Sequence, residues 1–511
     1  MGNYLPDFGM LLNSIGYCLS PLLLLQLTGS MVLGIIFGCL PGLTATMGVA
    51  LLTSLTYSLN TNNALAILIA CFMGGVYGGS RSAILVNIPG TPAAAATALD
   101  GYPLARKGKA QFVLSLATAA SFWGTLFGLI ILLFISPALS SVALKFGAHE
   151  FFLLSLFGIM ICGSITSKDP IKGWIVGLFG LLIAQIGLDA IYAFPRYTFN
   201  NIQLNSGITL IPAMIGVFAI PEVICSLRDD EKGYTLDNVD SSFKTVLKTS
   251  LGAIRQSTKH LGLILRSGFI GTLIGALPGA GADIACWVAY DAEKRISKNG
   301  DKFGTGEIEG VLAPEIANNS MIGGAFVPML SLAVPGDSVT AIILAALWLH
   351  GVRPGPLLMT EQPEVFYIIV ALLFLGSIVM AITGQLLTPI LVKAVTIPKG
   401  QLMPIVVVLS VIGSYSINNR TFDVLVMFLF GLIGYFMRTN GFPAAPLTLG
   451  IILGPMADEN LRRALMLGGG SLEPFITRPI SMVFIVAILL MVVLEIRKAV
   501  KRKDAALLEQ K

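Results

Sequence analysis

Carboxylates and amides gather in this chain where an apolar sequence has least reason to hold them. Asp283, Glu315, Asn318, Asn319, Asp337 and Ser338 all fall near Pro-Gly interruptions in the second half. Carboxylate, amide and hydroxyl oxygens beside unwound backbone are the ligands a small hard cation takes. Asp283, Asn318, Asn319, Asp337 and Ser338 therefore form a candidate site for a coupling Na⁺ or H⁺. No cofactor and no further metal is expected. Asp283 and Asp337 also have a plainer reading, as helix N-caps. In the first half, Thr44, Thr46 and Thr91 follow such interruptions and Asn87 precedes one. A helix that starts in mid-membrane exposes N–H groups and a dipole end worth roughly half a unit charge, which attracts anions. Hydroxyls there add donors without adding charge. Gly42, Thr44, Thr46, Asn87, Gly90, Thr91, Gly279 and Gly281 are thus the candidate substrate-binding residues for an anion. The competing reading makes the polar ones caps for orphan N–H groups. Arg81, within Gly78-Gly79-Ser80-Arg81-Ser82, could meet a substrate carboxylate, pair with a resident acid, or snorkel from a helix end.

The elements that must position these residues are broken helices. Gly34-Ile-Ile-Phe-Gly38-Cys-Leu-Pro41-Gly42 recurs as Gly271-Thr-Leu-Ile-Gly275-Ala-Leu-Pro278-Gly279, so G-x-x-x-G-x-x-P-G is written twice inside apolar runs. Each copy is followed by a second break, Asn87-Ile-Pro89-Gly90 and Ala333-Val-Pro335-Gly336, and each second break follows a Gly-Gly pair, Gly74-Gly75 and Gly323-Gly324. Helix breakers at corresponding places in two halves mark discontinuous membrane helices around a central site. G-x-x-x-G alone is a weak packing signal; recurrence with Pro-Gly attached makes it specific.

Composition fixes the class. Of 511 residues, 55% are hydrophobic and 12% charged, against about 25% charged in soluble domains. Apolar runs of about 20 residues, enough to cross the hydrocarbon core, recur from end to end. The expected fold is an all-α polytopic membrane protein, with about a dozen transmembrane segments in two inverted repeats containing broken helices or re-entrant hairpins. The net charge of +5 gives no nucleic-acid face, because the basic residues lie in short loops. Six cysteines in apolar stretches, without metal or disulfide spacing, read as small packing residues. The start, Met1-Gly-Asn-Tyr-Leu-Pro-Asp7, lacks a basic n-region, so the first apolar segment is expected to be structural.

Taken in order, residues 1–227 form the first transmembrane repeat, 228–266 a cytoplasmic linker with a surface helix over about 241–262, 267–496 the second repeat, and 497–511 a basic cytoplasmic tail. In the first repeat, crossings are expected at about 112–136, 151–166, 172–192 and 207–226. In the second they fall at about 364–392, 403–418, 421–437, 443–456 and 478–496. The loop Asp100-Gly-Tyr-Pro-Leu-Ala-Arg106-Lys107-Gly-Lys109 is basic and reads as cytoplasmic, as does the insertion Asp291 to Glu309. The loop His350-Gly-Val-Arg353-Pro-Gly-Pro, with Glu361 and Glu364, reads as external. Matching loops on opposite sides would make the repeats inverted.

Several chemistries find no support. There is no G-x-x-x-x-G-K-[ST] for ATP hydrolysis and no H-E-x-x-H, and His149, His260 and His350 are far apart in sequence. No nucleophile and base stand together, so no catalytic residue is assigned and the chain is not expected to be an enzyme.

Beyond these readings, Gly38-Cys-Leu-Pro41-Gly42-Leu-Thr44, Tyr77-Gly-Gly-Ser80, Asn87-Ile-Pro-Gly90-Thr-Pro92, Asp100-Gly-Tyr-Pro103, Gly275-Ala-Leu-Pro-Gly279-Ala-Gly281, Ala313-Pro-Glu315-Ile-Ala-Asn318-Asn319, Pro335-Gly336-Asp337 and Gly351-Val-Arg353-Pro-Gly355-Pro resemble the large membrane subunit of the tripartite tricarboxylate transporters. The resemblance spans nearly the whole chain. It implies a multi-pass carrier of the bacterial inner membrane that works with a small membrane subunit of about four helices and a periplasmic solute-binding protein. It also implies symport of carboxylates such as citrate, or of dicarboxylates, driven by an ion gradient, commonly Na⁺. A standalone ion-coupled anion carrier is the nearest alternative, and an ion channel or a membrane enzyme stands further off.

Overall fold

The computed structural model describes residues 6–40, 43–166, 169–189, 191–226, 243–388 and 399–509. The chain folds into helices, with one two-residue antiparallel pairing, β1 (Gly187–Leu188) with β2 (Pro195–Arg196), among the described residues. Six helices are long and apolar enough to cross a membrane, and six more apolar helices of 10–17 residues accompany them. The protein is a multi-pass membrane protein. It divides into two compact units, residues 1–141 with 211–435, and residues 142–210 with 436–511.

The first unit is built on interrupted helices. Near its start, α1 (Phe8–Cys18) is capped by the Asp7 carboxylate, which accepts the Gly9 and Met10 N–H groups. Next come α2 (Pro21–Cys39), α3 (Ala45–Leu55) and α4 (Thr61–Val86). α2 and α4 run in the same direction: Gly34 lies on the Cys71 backbone, Gly38 on that of Gly75, and the Ser30 hydroxyl donates to the Ile67 carbonyl at 2.5 Å. Glycine permits this approach because a Cβ at either position would overlap backbone atoms. α3 runs the other way along α4, with Ala45 beside Gly75 and Gly48 beside the Cys71 sulfur. α2 and α3 therefore run antiparallel to each other along α4. After α4 come α5 (Ala94–Leu104), a π-helical turn at Ala105–Lys109, and α6 (Ala110–Ala143).

The second half repeats this arrangement. The surface helix expected over 241–262 is α10 (Phe243–Ser257), after α7 (Ala148–Thr166), α8 (Pro170–Ile183) and α9 (Leu210–Ser226). Residues 228–242 of the linker lie outside the described residues. α11 (Leu261–Gly275) and α12 (Gly281–Ile296) form a hairpin with Arg266 paired to Glu293, and α13 (Ile308–Leu332) then runs parallel to α11. Gly271 lies on Ala317 and Gly275 on Met321, as Gly34 and Gly38 lie on Cys71 and Gly75. α14 (Ser338–Leu349), α15 (Leu358–Glu361) and α16 (Pro363–Leu386) follow, then Lys399–Ser416 and Thr421–Thr439. α4 and α13 touch in opposite order, with Phe72 against Phe326 and the Val76 carbonyl against Asn318.

The second unit packs α7 and α8 with helices Ala444–Leu467, Glu473–Thr477 and Pro479–Glu509. Here two expectations need correction. α8 stops at Ile183 rather than near 192, because Gly187 takes φ +129° and the chain turns into the β1–β2 hairpin. The crossing expected at 443–456 continues to Leu467. Its charged second half is stabilised by pairing, with Arg462 bonded to Asp458 and Asp189, and Arg196 bridging the same two carboxylates.

Candidate functional site

In the first half, the end of α2 meets the break after α4. Thr44 caps α3, its hydroxyl accepting the Met47 N–H at 3.2 Å, and Thr46 is buried in the first turn. Gly42 lies outside the described residues. α4 ends at Asn87, an exposed residue in the left-handed region at φ 57°, ψ 28°. That torsion folds the chain back along α4, and the Gly90 N–H donates to the Gly79 carbonyl at 3.2 Å. A Cβ on Gly90 would meet the Gly38 carbonyl oxygen. Thr91 packs against Gly79, and its hydroxyl is buried without a partner.

The second repeat does the same with different side chains. α13 ends at Ala333, again at φ 57°, ψ 28°. A Cβ on Gly336 would meet the Gly275 carbonyl oxygen, and the Gly279 N–H donates to the Gly336 carbonyl at 2.7 Å. Gly279 and Gly281 take φ of 78° and 61°, conformations that cost other residues about 1–2 kcal/mol. The glycine register also differs from the Gly74-Gly75 and Gly323-Gly324 match. Gly78 lies on Ile35 as Gly324 lies on Thr272, so Gly78 and Gly324 are the equivalent pair.

The two repeats meet at these breaks. Asp283, in the first turn of α12, accepts the Ala93 N–H from the first repeat and faces Asp337. Gly281 has the Asp337 Cβ 3.7 Å from where its own would stand. Around them Ala93 and Ala96 pack with Cys286, Tyr290 and Phe303. Asp337 caps α14 in a reciprocal capping box: its carboxylate accepts the Thr340 N–H at 2.8 Å, and the Thr340 hydroxyl accepts the Asp337 N–H at 3.0 Å. Ser338 is the half-buried first residue of that helix. Asn318 and Asn319 sit in mid-α13 instead. The Asn318 amide donates to the Val76 carbonyl at 3.3 Å and that of Asn319 to the Glu315 carbonyl at 2.9 Å, while both side-chain oxygens are buried without partners.

Sequence reasoning missed one polar centre and left the depth of a second open. Asp100, at the end of α5, is fully buried. One of its oxygens accepts the N–H groups of Gly304, Gly306 and Glu307 at 2.9, 2.8 and 2.7 Å; the other accepts the Tyr290 hydroxyl at 2.8 Å. This fastens the loop before α13, and Lys107 adds a bond to the Thr305 carbonyl at 2.8 Å. The available signal was an acid in the otherwise basic Asp100–Lys109 loop. The second centre surrounds Arg81, which is 1% exposed and so does not snorkel. Its guanidinium donates to the Leu114 carbonyl (2.9 Å) and the Thr118 hydroxyl (2.6 Å) and lies 4.2 Å over the Tyr77 ring. Elsewhere in this unit, a cavity of about 460 Å³ is lined by Asn60, Asn62, His350, Glu361 and Glu364 among others, and by none of the predicted site residues.

A duplicated set of helix breaks, meeting around acids and amides inside a multi-pass bundle, defines a membrane carrier in architecture. A profile of the "Tripartite tricarboxylate transporter TctA family" matches residues 23–449. The chain belongs to that family of transporters. It is 35% identical over 492 residues, 96% of this chain and 97% of the relative, to the "Uncharacterized 52.8 kDa protein in TAR-I ttuC' 3'region" of Agrobacterium vitis. A second Agrobacterium vitis relative, the "Uncharacterized protein in TAR-II ttuC' 3'region", is 40% identical over 233 residues, 46% of this chain and 96% of that protein. No solved structure matches.

Proposed function

We propose that the chain is the permease subunit of a binding-protein-dependent secondary transporter that imports organic carboxylates, citrate or dicarboxylates, on a Na⁺ or H⁺ gradient. It works in the bacterial inner membrane with a small membrane subunit of about four helices and a periplasmic solute-binding protein, its C-terminus cytoplasmic. Membership in the family supports the transporter reading. The observation that carries the mechanism is the meeting of the two repeats at their breaks, Asp283 on the Ala93 N–H and beside Asp337. Residues 1–227 and 267–496 act as inverted repeats, a reading supported by the opposed order of contacts between α4 and α13. In this proposal Thr44, Thr46, Asn87, Gly90 and Thr91, with Gly42, Gly279 and Gly281, offer donors to substrate carboxylates. Asp283, Asn318, Asn319, Asp337 and Ser338 serve the coupling ion. The unpartnered Asn318 and Asn319 oxygens supply free lone pairs for a cation.

The test is uptake of labelled citrate and a panel of dicarboxylates by cells making this chain, with and without both partners, in Na⁺ and in Na⁺-free medium. Uptake that needs the partners and an ion gradient is expected. Uptake by the chain alone would make it a standalone carrier, and ungated high-rate conductance would make it a channel.

A further inference from the structure

Glu315 is fully buried in α13, far from any helix end. Its carboxyl group is met by hydroxyls from three helices of the other repeat. Thr97 on α5 donates to one oxygen at 2.6 Å, Ser121 on α6 reaches the second at 3.1 Å, and the Ser80 hydroxyl on α4 also bonds it. The charged or titratable groups around it are Arg81 and Tyr77 on α4 and Cys286 on α12, with Asp283 beyond Cys286. α5 and α6 bring only hydroxyls, and α11 brings Gly271 against the next turn.

Two features leave the charge on Glu315 free to change. The first is that no ion pair joins Arg81 to Glu315: two guanidinium nitrogens donate to the Leu114 carbonyl and the Thr118 hydroxyl and the group lies over the Tyr77 face, all neutral, so Arg81 acts on Glu315 only at a distance. The second is a proton count. Ser121 lies within bonding distance of the Ala117 carbonyl (2.9 Å) as well as Glu315, and Ser80 of the Tyr77 carbonyl (3.0 Å) as well as Glu315. Each hydroxyl has one proton and two acceptors. With Glu315 ionised, Thr97, Ser80 and Ser121 all donate to it. With Glu315 protonated, its O–H donates to the Ser121 oxygen and the Ser121 proton turns to the Ala117 carbonyl. Neither state strands one of these three hydroxyl protons, and a stranded donor is the usual cost of changing a buried group.

We infer, resting on the permease reading, that Glu315 is the site where a coupling proton is bound and released during transport. The step forms one O–H bond on a Glu315 oxygen and breaks one O–H bond of the hydronium that delivers the proton, leaving water; release reverses it. A proton is received by the hydroxyl network itself, where Ser121 can turn from donor to acceptor.

Infrared spectra of the purified full chain in lipid nanodiscs, taken across a pH series, test this without any substrate. A protonated-carboxyl carbonyl band is expected to rise as pH falls, to be missing in Glu315→Gln and to move in Glu315→Asp. Gln is isosteric, and its melting temperature checks that the fold is kept. A band series identical in Glu315→Gln would overturn the inference, since Glu315 would then hold one charge throughout. In proteoliposomes that also hold the small membrane subunit, with the solute-binding protein supplied, citrate accumulation driven by a pH gradient is expected to be lost in Glu315→Gln. Accumulation that persists undiminished in that variant would equally overturn it. Wild-type protein that moves neither citrate nor a dicarboxylate would count against the permease reading, which the infrared arm does not use.

Discussion

The Gly279 N–H donates to the Gly336 carbonyl at 2.7 Å, so the first break of the second repeat is fastened to the second break. Gly336 also lies on the Gly275 carbonyl, as Gly90 lies on the Gly38 carbonyl in the first half. Backbone lies on backbone at both places, and neither side has a flexible end that could give way.

Gly90→Ala and Gly336→Ala should therefore each cost at least the about 1–3 kcal/mol typical of overpacking. The expected outcome is a lower melting temperature in detergent and less protein inserted. Gly252→Ala is the control: its Cβ would meet nothing within 4 Å on helix α10, where alanine is the better helix former. Equal melting of all three variants would mean that the breaks can open.

Asp337 has a capping duty that can be separated from a transport duty. Asn caps about as well as Asp, whereas Ala gives up about 1 kcal/mol of helix stability. Asp337→Asn should melt like the wild type and Asp337→Ala slightly below it. Both are expected to abolish uptake, as is Asn87→Ala. Wild-type uptake by Asp337→Asn would reduce Asp337 to a cap.

Asp100→Asn tests the fastening of residues 303–307. Hydrogen bonds to a charged acceptor are worth about 1.5–3 kcal/mol, and the amide retains one acceptor oxygen without the charge. Faster tryptic cleavage at Lys298 and Lys302 is expected, with Asp100→Ala faster still. Unchanged cleavage would assign the loop's order to other contacts.

Asp189, in the hairpin after α8, gives a pH signature. Burial pushes its carboxyl up, but the Tyr192 N–H and the Arg462 and Arg196 guanidiniums outweigh burial and hold it below the usual aspartate range. The folded protein then binds this proton less readily than the unfolded chain, whose aspartates titrate near about 3.9. Its stabilisation is present above that value and is lost as pH falls through the folded pKa. Melting temperature should drop on acidification from neutral pH, and Asp189→Asn should flatten that dependence. An equally steep curve in the variant would place the acid sensitivity elsewhere.

The interruptions were legible because Pro-Gly inside an apolar run has few other meanings, and α11 and α12 are separated where Pro278-Gly279 stands. The capping role of Asp337 was legible for the same local reason. Asp100 was not, since its donors at Gly304, Gly306 and Glu307 are distant in sequence and are backbone groups that no residue type announces. Nor was the depth of Arg81, because the acceptors that permit its burial are a carbonyl and a hydroxyl on α6. The stop of α8 at Ile183 depended on a hairpin held by charges from residues 458 and 462. Sequence reading sees breakers and periods, whereas these features are set by partners brought together only by the fold.

Asn87 and Ala333 share the same left-handed torsions yet share no functional group. Counting back equally from each, Arg81 falls opposite Val327 and Glu315 opposite Ile69. Duplication has thus kept the path of the main chain while the charges were written only once. Two helices that trace one main-chain path therefore differ in kind where Arg81 and Glu315 stand, alike in form and unlike in charge.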